Sequence, residues 1–592
     1  MMEELDEINS KSEETRRRNL NKVATNGEGN RDNLQTVVYV VDSSNPDPAN
    51  SCKQKQPHLE EPLFPGIICT FRENVVQIFR NQSFLINKII KYLLNLALVA
   101  YIAAALHHWN QQGRNIDWCN GTGLLMILVC IFYWALLYYK FIVPIIFPLL
   151  EPCRTALEET SFYRTIRRYI GDLLQIGCVI GFIIFVYIDT EGERRRLMSL
   201  VGIAFFIFCG FFFSKHPTKV QWRSVFWGIA LQIAIGIFSI RLKIGRVIFE
   251  CIGHHVRTFL EFAYTGAAFI YSDKLVKDPS SSVFAFQALS CIYFLSFVVQ
   301  ILFYYGVLQR IFLKLGWVLQ ATLGTTVIES VNGCASVFLG MTEAPILIQP
   351  YLKDLTVSEL YAVMHSGFST VAGTVFAAYI SFGIQPAHII TASIMAAPAA
   401  LSYAKLLYPE TESSKTKVDN LQDLRSEDRS VIDAACKGAI AGSEMVFGII
   451  ASIIAVVSFI TFIDHFILSK LFIPLTLLMG VDQSQCGYVA KLIGMKTAVN
   501  EFIAYKQLGE FKLEHKLSPR SEAIATFALC SFANPSSVGS MIATLSVLCP
   551  SQREHVTNLS IRAFIGGSVT CFITACIAGL LYPEQGFGDD SF

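Results

Sequence analysis

Gly340-Met341-Thr342-Glu343-Ala344-Pro345 sets a carboxylate between a glycine and a proline in the middle of an apolar stretch. A charge at bilayer depth is expensive and normally faces a protein interior or a water-filled cavity, often as a substrate or ion site. A second acid follows in similar surroundings at Asn500-Glu501-Phe502. Two such acids in one apolar chain point to a transporter.

The surroundings of the two acids match. After Glu343 a helix start reads Thr356-Val357-Ser358-Glu359, the spacing of a capping box. After Glu501 the corresponding start is Ser518-Pro519, an N-cap followed by proline at the first helical position. Each of these helices is then interrupted half-way, the first over 367–374 (GFSTVAGT), the second over 531–537 (SFANPSS). Proline removes a helix hydrogen bond and Gly or Ser clusters loosen one. Paired interruptions in corresponding positions are the sequence signature of a transporter's midplane site, because unwound backbone survives at that depth only where it is buried or lines a cavity. Ordinary kinks packed on neighbouring helices are the plain alternative, and two matched pairs with acids weigh against it.

The whole composition agrees. Of 592 residues, 53% are hydrophobic and 16% charged, with net charge +1 and mean hydropathy +0.45. That is membrane composition, and no basic excess points to a nucleic-acid partner. Apolar spans are expected near 87–106, 122–148, 173–189, 198–214, 223–241, 283–306, 359–384, 386–407, 436–464, 519–548 and 557–582, each near the roughly 20 residues that cross a bilayer. Shorter or broken pieces lie near 245–271, 310–350 and 467–509.

Residues 1–85 are polar and charged and read as a disordered cytoplasmic tail without a cleavable signal. The remaining division is 86–220 for N-terminal transmembrane helices, 221–408 for scaffold helices and a first repeat, 409–434 for a polar loop and 435–592 for a second repeat. Arg16, Arg17 and Arg18, with Arg154, Arg164, Arg167 and Arg168, place the N-terminus in the cytoplasm. The 107–121 loop is then outside, with the glycan acceptor Asn120-Gly121-Thr122. Arg194, Arg195 and Arg196 contradict that count. The sixteen cysteines, many inside apolar spans, have no zinc spacing and read as free, buried thiols.

On these residues the chain resembles the concentrative nucleoside transporter family (solute carrier family 28), from about Val201 to Tyr582. The similarity includes 222–226 (WRSVF) with Gly228 and Gln232, 283–289 (VFAFQAL), GMTEAP, 378–383 (AYISFG), 396–398 (AAP), and the signature G-x-K-x-x-x-N-E-F-x-A-Y at Gly494 to Tyr505, with Lys496 in place. The resemblance implies an all-α polytopic membrane protein, an inverted-repeat transporter with two re-entrant hairpins and two broken helices. It implies a homotrimer in the plasma membrane, no cofactor beyond a coupling ion, H+ or Na+, and a nucleoside as substrate. By the same resemblance Gly340, Met341, Thr342, Glu343 and Phe532 contact the nucleobase, and Glu501, Asn534 and Ser537 hold the ribose.

Carboxylate and amide groups suit ribose hydroxyls, and a site built that way rejects analogues lacking them. Met341 and Phe532 each have a packing alternative, and Ser537 could bond back to its own helix. His365 is a second candidate proton carrier, against the commoner reading of a satisfied interfacial histidine.

One departure bears on coupling. Sodium-coupled members carry Asn where this chain has Ser336, and bacterial proton-coupled relatives resemble it in having Ser. The cation-coupling set is expected to be Ser336, Leu339, Thr374, Val375 and Glu343, with Ser336 and Thr374 as metal ligands if sodium is used. A shortened oxygen set disfavours sodium. Proton coupling through Glu343 or Glu501 is the favoured reading, sodium symport of broader selectivity the alternative. Gly340-Met341 with Thr374-Val375 resembles purine-preferring members. A membrane hydrolase is disfavoured, since no Gly-x-Ser-x-Gly or His-Glu-x-x-His occurs. A non-concentrating nucleoside sensor on the same fold stays open.

Overall fold

A computed structural model describes residues 89, 92–93, 95–107, 118–138, 140, 161–277, 283–287, 289–415, 428–463, 470–584 and 586. The 1–85 tail, Arg154, the side chains of Arg164, Arg167 and Arg168, and the middle of the 409–434 loop lie outside the described residues. The chain divides into two units, 1–111 and 112–592. The first holds the apolar helix α1 (Asn95–His107).

The regular elements among the described residues of the second unit are all helices. Its first long helices are α2 (Gly121–Leu137), α3 (Ser161–Asp189), α4 (Leu197–Phe212), α5 (Trp222–Gly236) and α6 (Lys243–Tyr271). The piece expected to be short or broken at 245–271 is thus one continuous helix of 29 residues. Its apolar positions fall on one face, which a count of consecutive apolar residues undervalues. Next come α7 (Ser290–Tyr304) and α8 (Val307–Leu323).

The first re-entrant hairpin descends as α9 (Val327–Leu339), turns at Gly340–Glu343, and returns through the single turn Ala344–Leu347 and a 3-10 segment. The broken helix that follows is α10 (Val357–Phe368), an unwound stretch, a 3-10 turn Gly373–Val375, and α11 (Phe376–Ser381). Then come α12 (Pro386–Leu407) and the 33-residue α13 (Val431–Ile463). The second hairpin is α14 (Cys486–Ala498) and α15 (Glu501–Leu513). Its broken helix is α16 (Pro519–Leu529) and α17 (Pro535–Leu548), and α18 (Arg553–Leu581) completes the fold. α7 and α13 pack along each other, while α10, α12 and α16 pack on α18.

Local chemistry sets the starts and stops. Thr356 and Glu359 form the expected capping box, with Thr356 Oγ1 accepting from the Glu359 N–H at 3.1 Å and Glu359 from the Thr356 N–H at 2.9 Å. Ser518 caps α16 through the Ser521 N–H at 3.2 Å. Asn534 caps α17 through the Ser537 N–H at 2.9 Å, with Pro535 at the first helical position.

Among the described residues eight helices are long and apolar enough to cross a membrane, against eleven spans expected. The 519–548 span is divided by its break into two shorter helices. The 87–106 and 122–148 spans extend past the described residues.

One further expectation is corrected. Cys119 and Cys251 are joined in a disulfide across 132 residues, so the cysteines are not all free; nothing in their spacing reveals the pairing. Within the Arg194–Arg196 run two of the three arginines are paired. Arg196 is buried, pairs with Asp189 at 2.5 Å and donates Nε–H to the Leu580 carbonyl at 2.8 Å, while Arg195 pairs with Asp482 at 2.7 Å.

Candidate functional site

The hairpin tips and the two breaks meet at the centre of the second unit. Gly340 has φ +85°, and a Cβ there would lie 2.8 Å from Ala372 Cβ, so the first tip touches the first break only because it is glycine. The Phe532 N–H of the second break donates to the Thr370 carbonyl of the first at 3.0 Å. On α18, Cys571 Sγ lies 3.3 Å from the Ser369 carbonyl oxygen and 3.4 Å from that of Cys530, one from each break. Each hairpin is also tied to the break of its own repeat. Thr370 Oγ1 lies 3.0 Å from the Ser336 carbonyl oxygen, and Lys496 Nζ donates to the Ala528 carbonyl at 3.0 Å. Unwound backbone at this depth is thereby satisfied by neighbouring protein groups.

These elements line an open cavity of about 530 Å3, within the size range of small-molecule sites. From the first repeat Leu339, Gly340, Met341, Thr342, Glu343 and Val375 line it. From the second come Asn500, Glu501, Phe532, Asn534 and Ser537. Glu501 is 2% exposed, and its Oε2 accepts from the Asn534 amide at 3.0 Å. That amide oxygen is engaged in capping α17, so one side chain orients the acid and starts the helix. Glu343 Oε2 is buried and has no hydrogen-bond partner in the protein.

Ser336 and Thr374 are not part of the lining. Ser336 is fully buried, and its hydroxyl donates to the Asn332 carbonyl of the preceding turn at 2.8 Å. Thr374 Oγ1 is buried without a partner, and the hydroxyl that reaches the Ser336 backbone is that of Thr370. His365 is likewise buried away from the cavity, its Nε2 2.9 Å from Thr570 Oγ1. Sequence reasoning missed the third wall, which α13 supplies through Ala441, Glu444, Met445, Gly448 and Ile449. A lone acid within an apolar helix was the available signal.

Fold and cavity define a multi-pass membrane transporter built from two inverted repeats, each with a hairpin and a broken helix; it is not an enzyme. Three family models match: Na+ dependent nucleoside transporter N-terminus over residues 201–274, nucleoside recognition (gate) over 285–386, and Na+ dependent nucleoside transporter C-terminus over 388–579. Solute carrier family 28 member 3 of Eptatretus stoutii is 38% identical over 535 residues, covering 84% of this chain and 76% of that protein. Sodium/nucleoside cotransporter 2 of Rattus norvegicus is 36% identical over 545 residues, covering 86% of this chain and 80% of that one. Among solved structures, CNTnw in an inward-facing substrate-bound state is similar with TM-score 0.63 and 33% identity, over 66% of this chain and 98% of that one. The chain belongs to the concentrative nucleoside transporter family, in its animal branch, and is a cation-coupled nucleoside transporter.

Proposed function

We propose that this chain is a proton-coupled importer that prefers purine nucleosides, acting as a homotrimer in the plasma membrane with its N-terminus in the cytoplasm. The observation that carries the reading is the single cavity shared by Met341 and Glu343 on one hairpin tip and by Glu501, Asn534 and Ser537 from the other repeat. In this reading Gly340, Met341, Thr342, Glu343 and Phe532 meet the base, and Glu501, Asn534 and Ser537 meet the ribose. Met341 supports purine preference: a thioether offers contact and polarizability but no amide to bond a pyrimidine edge.

The state of Ser336 supports proton coupling. Its hydroxyl is already engaged within its helix, whereas Glu343 presents a buried, unpartnered carboxylate oxygen on the cavity side. A specific observation favours the alternative, sodium symport. Thr374 Oγ1, in the first break, is a buried hard oxygen without a hydrogen-bond partner in the protein. The Rattus relative also carries sodium in its name. The orientation is supported by the Cys119–Cys251 disulfide, which suits an oxidising exterior next to the acceptor Asn120.

Radiolabelled inosine uptake in sodium and in choline medium, at mildly acidic and at neutral pH, tests the reading. Uptake that persists in choline and rises in acid is expected. Collapse in choline would replace the proton by sodium, and absence of any nucleoside accumulation would favour the sensor.

A further inference from the structure

We propose that Glu444 is a charge-selecting residue of the nucleoside cavity and that the transporter accepts cationic purine nucleosides, those methylated on a ring nitrogen, as well as neutral ones. The inference rests on the nucleoside reading of the cavity and names a substrate class within it.

Glu444 sits on α13 about 20 Å along the helix from Val431, well inside a segment of membrane-crossing composition, the Val431–Ala451 span. An acid at such depth is costly unless it faces water or a partner. The faces of α13 are unequal. Gly438 and Gly442 pack against α7, where a Cβ on Gly438 would lie 2.4 Å from the Ser296 carbonyl oxygen. Ala441, Glu444, Met445 and Gly448, spaced three and four residues apart, form the stripe that closes the cavity. Every other member of that stripe is small or apolar, and Glu444 is exposed and lines the cavity.

The charge balance of the cavity is one-sided. Among the described residues Glu343, Glu444 and Glu501 line it, and no Lys, Arg or His does. Lys496 lies behind Glu501, fully buried and donating to Ala528, so it offsets that acid without reaching a ligand. Glu343 Oε2, buried and unpartnered, faces the same space. Ionised carboxylates only accept hydrogen bonds. Such a wall suits base amines and hydroxyls, is poorly suited to a 5′-phosphate, and attracts a base bearing positive charge. Methylation of adenosine at N1 produces such a base at neutral pH without adding much volume.

The test compares uptake of radiolabelled 1-methyladenosine and adenosine by the full chain in the same cells, with surface protein measured in parallel. The readout is the ratio of the two uptakes. Wild type is expected to take up both, Glu444→Gln to lower the ratio about tenfold, and Glu444→Asp, which keeps the charge, to hold it within about threefold, as for one carboxylate near a partly solvated cation. Adenosine uptake without 1-methyladenosine uptake in wild type overturns the inference, as does an unchanged ratio in Glu444→Gln. Failure of adenosine uptake itself overturns the nucleoside reading, and this inference with it.

Discussion

Each side chain around the cavity does a separable job, and the separation can be measured. Asn534 holds Glu501 through its amide at 3.0 Å and caps α17 through its oxygen at 2.9 Å. Asn534→Ala removes both at once and takes the amide donor from a buried acid, a loss of about 1.5–3 kcal/mol for a hydrogen bond to a charged group. Nucleoside uptake per surface transporter is expected to fall at least tenfold. Asn534→Asp keeps the cap but sets a second acid against Glu501, and should fare no better; if it restores uptake, the amide is not what orients Glu501. Met341 acts differently. It lines the cavity next to Gly340 and offers no amide to the ligand at that position. Met341→Gln supplies an amide and is expected to extend uptake to cytidine and thymidine, checked by competition against inosine. Unchanged base selectivity would count against placing the base at this tip.

Among the elements, the broken helices are held at their starts as firmly as at their breaks. Lys405 of α12 pairs with Glu329 in the first turn of α9 at 2.8 Å and with Glu410 at 3.5 Å, and donates to Ser358 in the first turn of α10 at 3.1 Å. Two helices of the first repeat and the start of the polar loop thus converge on one ammonium. Breaking a buried pair from one side strands a charge and costs roughly 3–5 kcal/mol, while replacing both partners costs far less. Lys405→Met should therefore lower thermal stability in detergent strongly, and Lys405→Met with Glu329→Gln should recover part of it. A double variant no more stable than the single one would sink this account. The elements also mark what could be read in advance. The acids, glycines and prolines that open helices at bilayer depth were legible because each breaks an apolar run. Thr370 and Thr374 occupy one short break, and spacing alone could not say which hydroxyl turns toward Ser336. The Cys119–Cys251 bridge, the pairing of Arg196 and the cavity face of α13 were illegible for one reason: each is fixed by residues far away in the chain.

At the scale of the whole molecule, the question is whether two halves of the chain serve one ligand. The breaks are joined directly by the Phe532–Thr370 hydrogen bond, and Cys571 lies against carbonyls of both. A Cβ on Gly367 of α10 would lie 2.9 Å from Met341 Cβ and 2.6 Å from Met541 Cε of α17, so the repeats interlock without room for a second layer. A cavity of about 530 Å3 between them has the size for one drug-sized ligand that buries most of its surface. Met341 and Ser537 lie on walls from different repeats, each nearly buried at 9% and 6% exposure. A single nucleoside there must shield both. With Cys130, Cys178 and Cys436, the exposed thiols among the described residues, and Cys52, Cys69 and Cys153 first replaced by serine, Met341→Cys and Ser537→Cys are each expected to react with a small hydrophilic thiol reagent. Adenosine or inosine should slow both reactions over the same concentration range, because one binding event covers both positions. Protection at different concentrations would mean two separate sites, and protection of neither would mean that the repeats, though packed together, do not share a ligand.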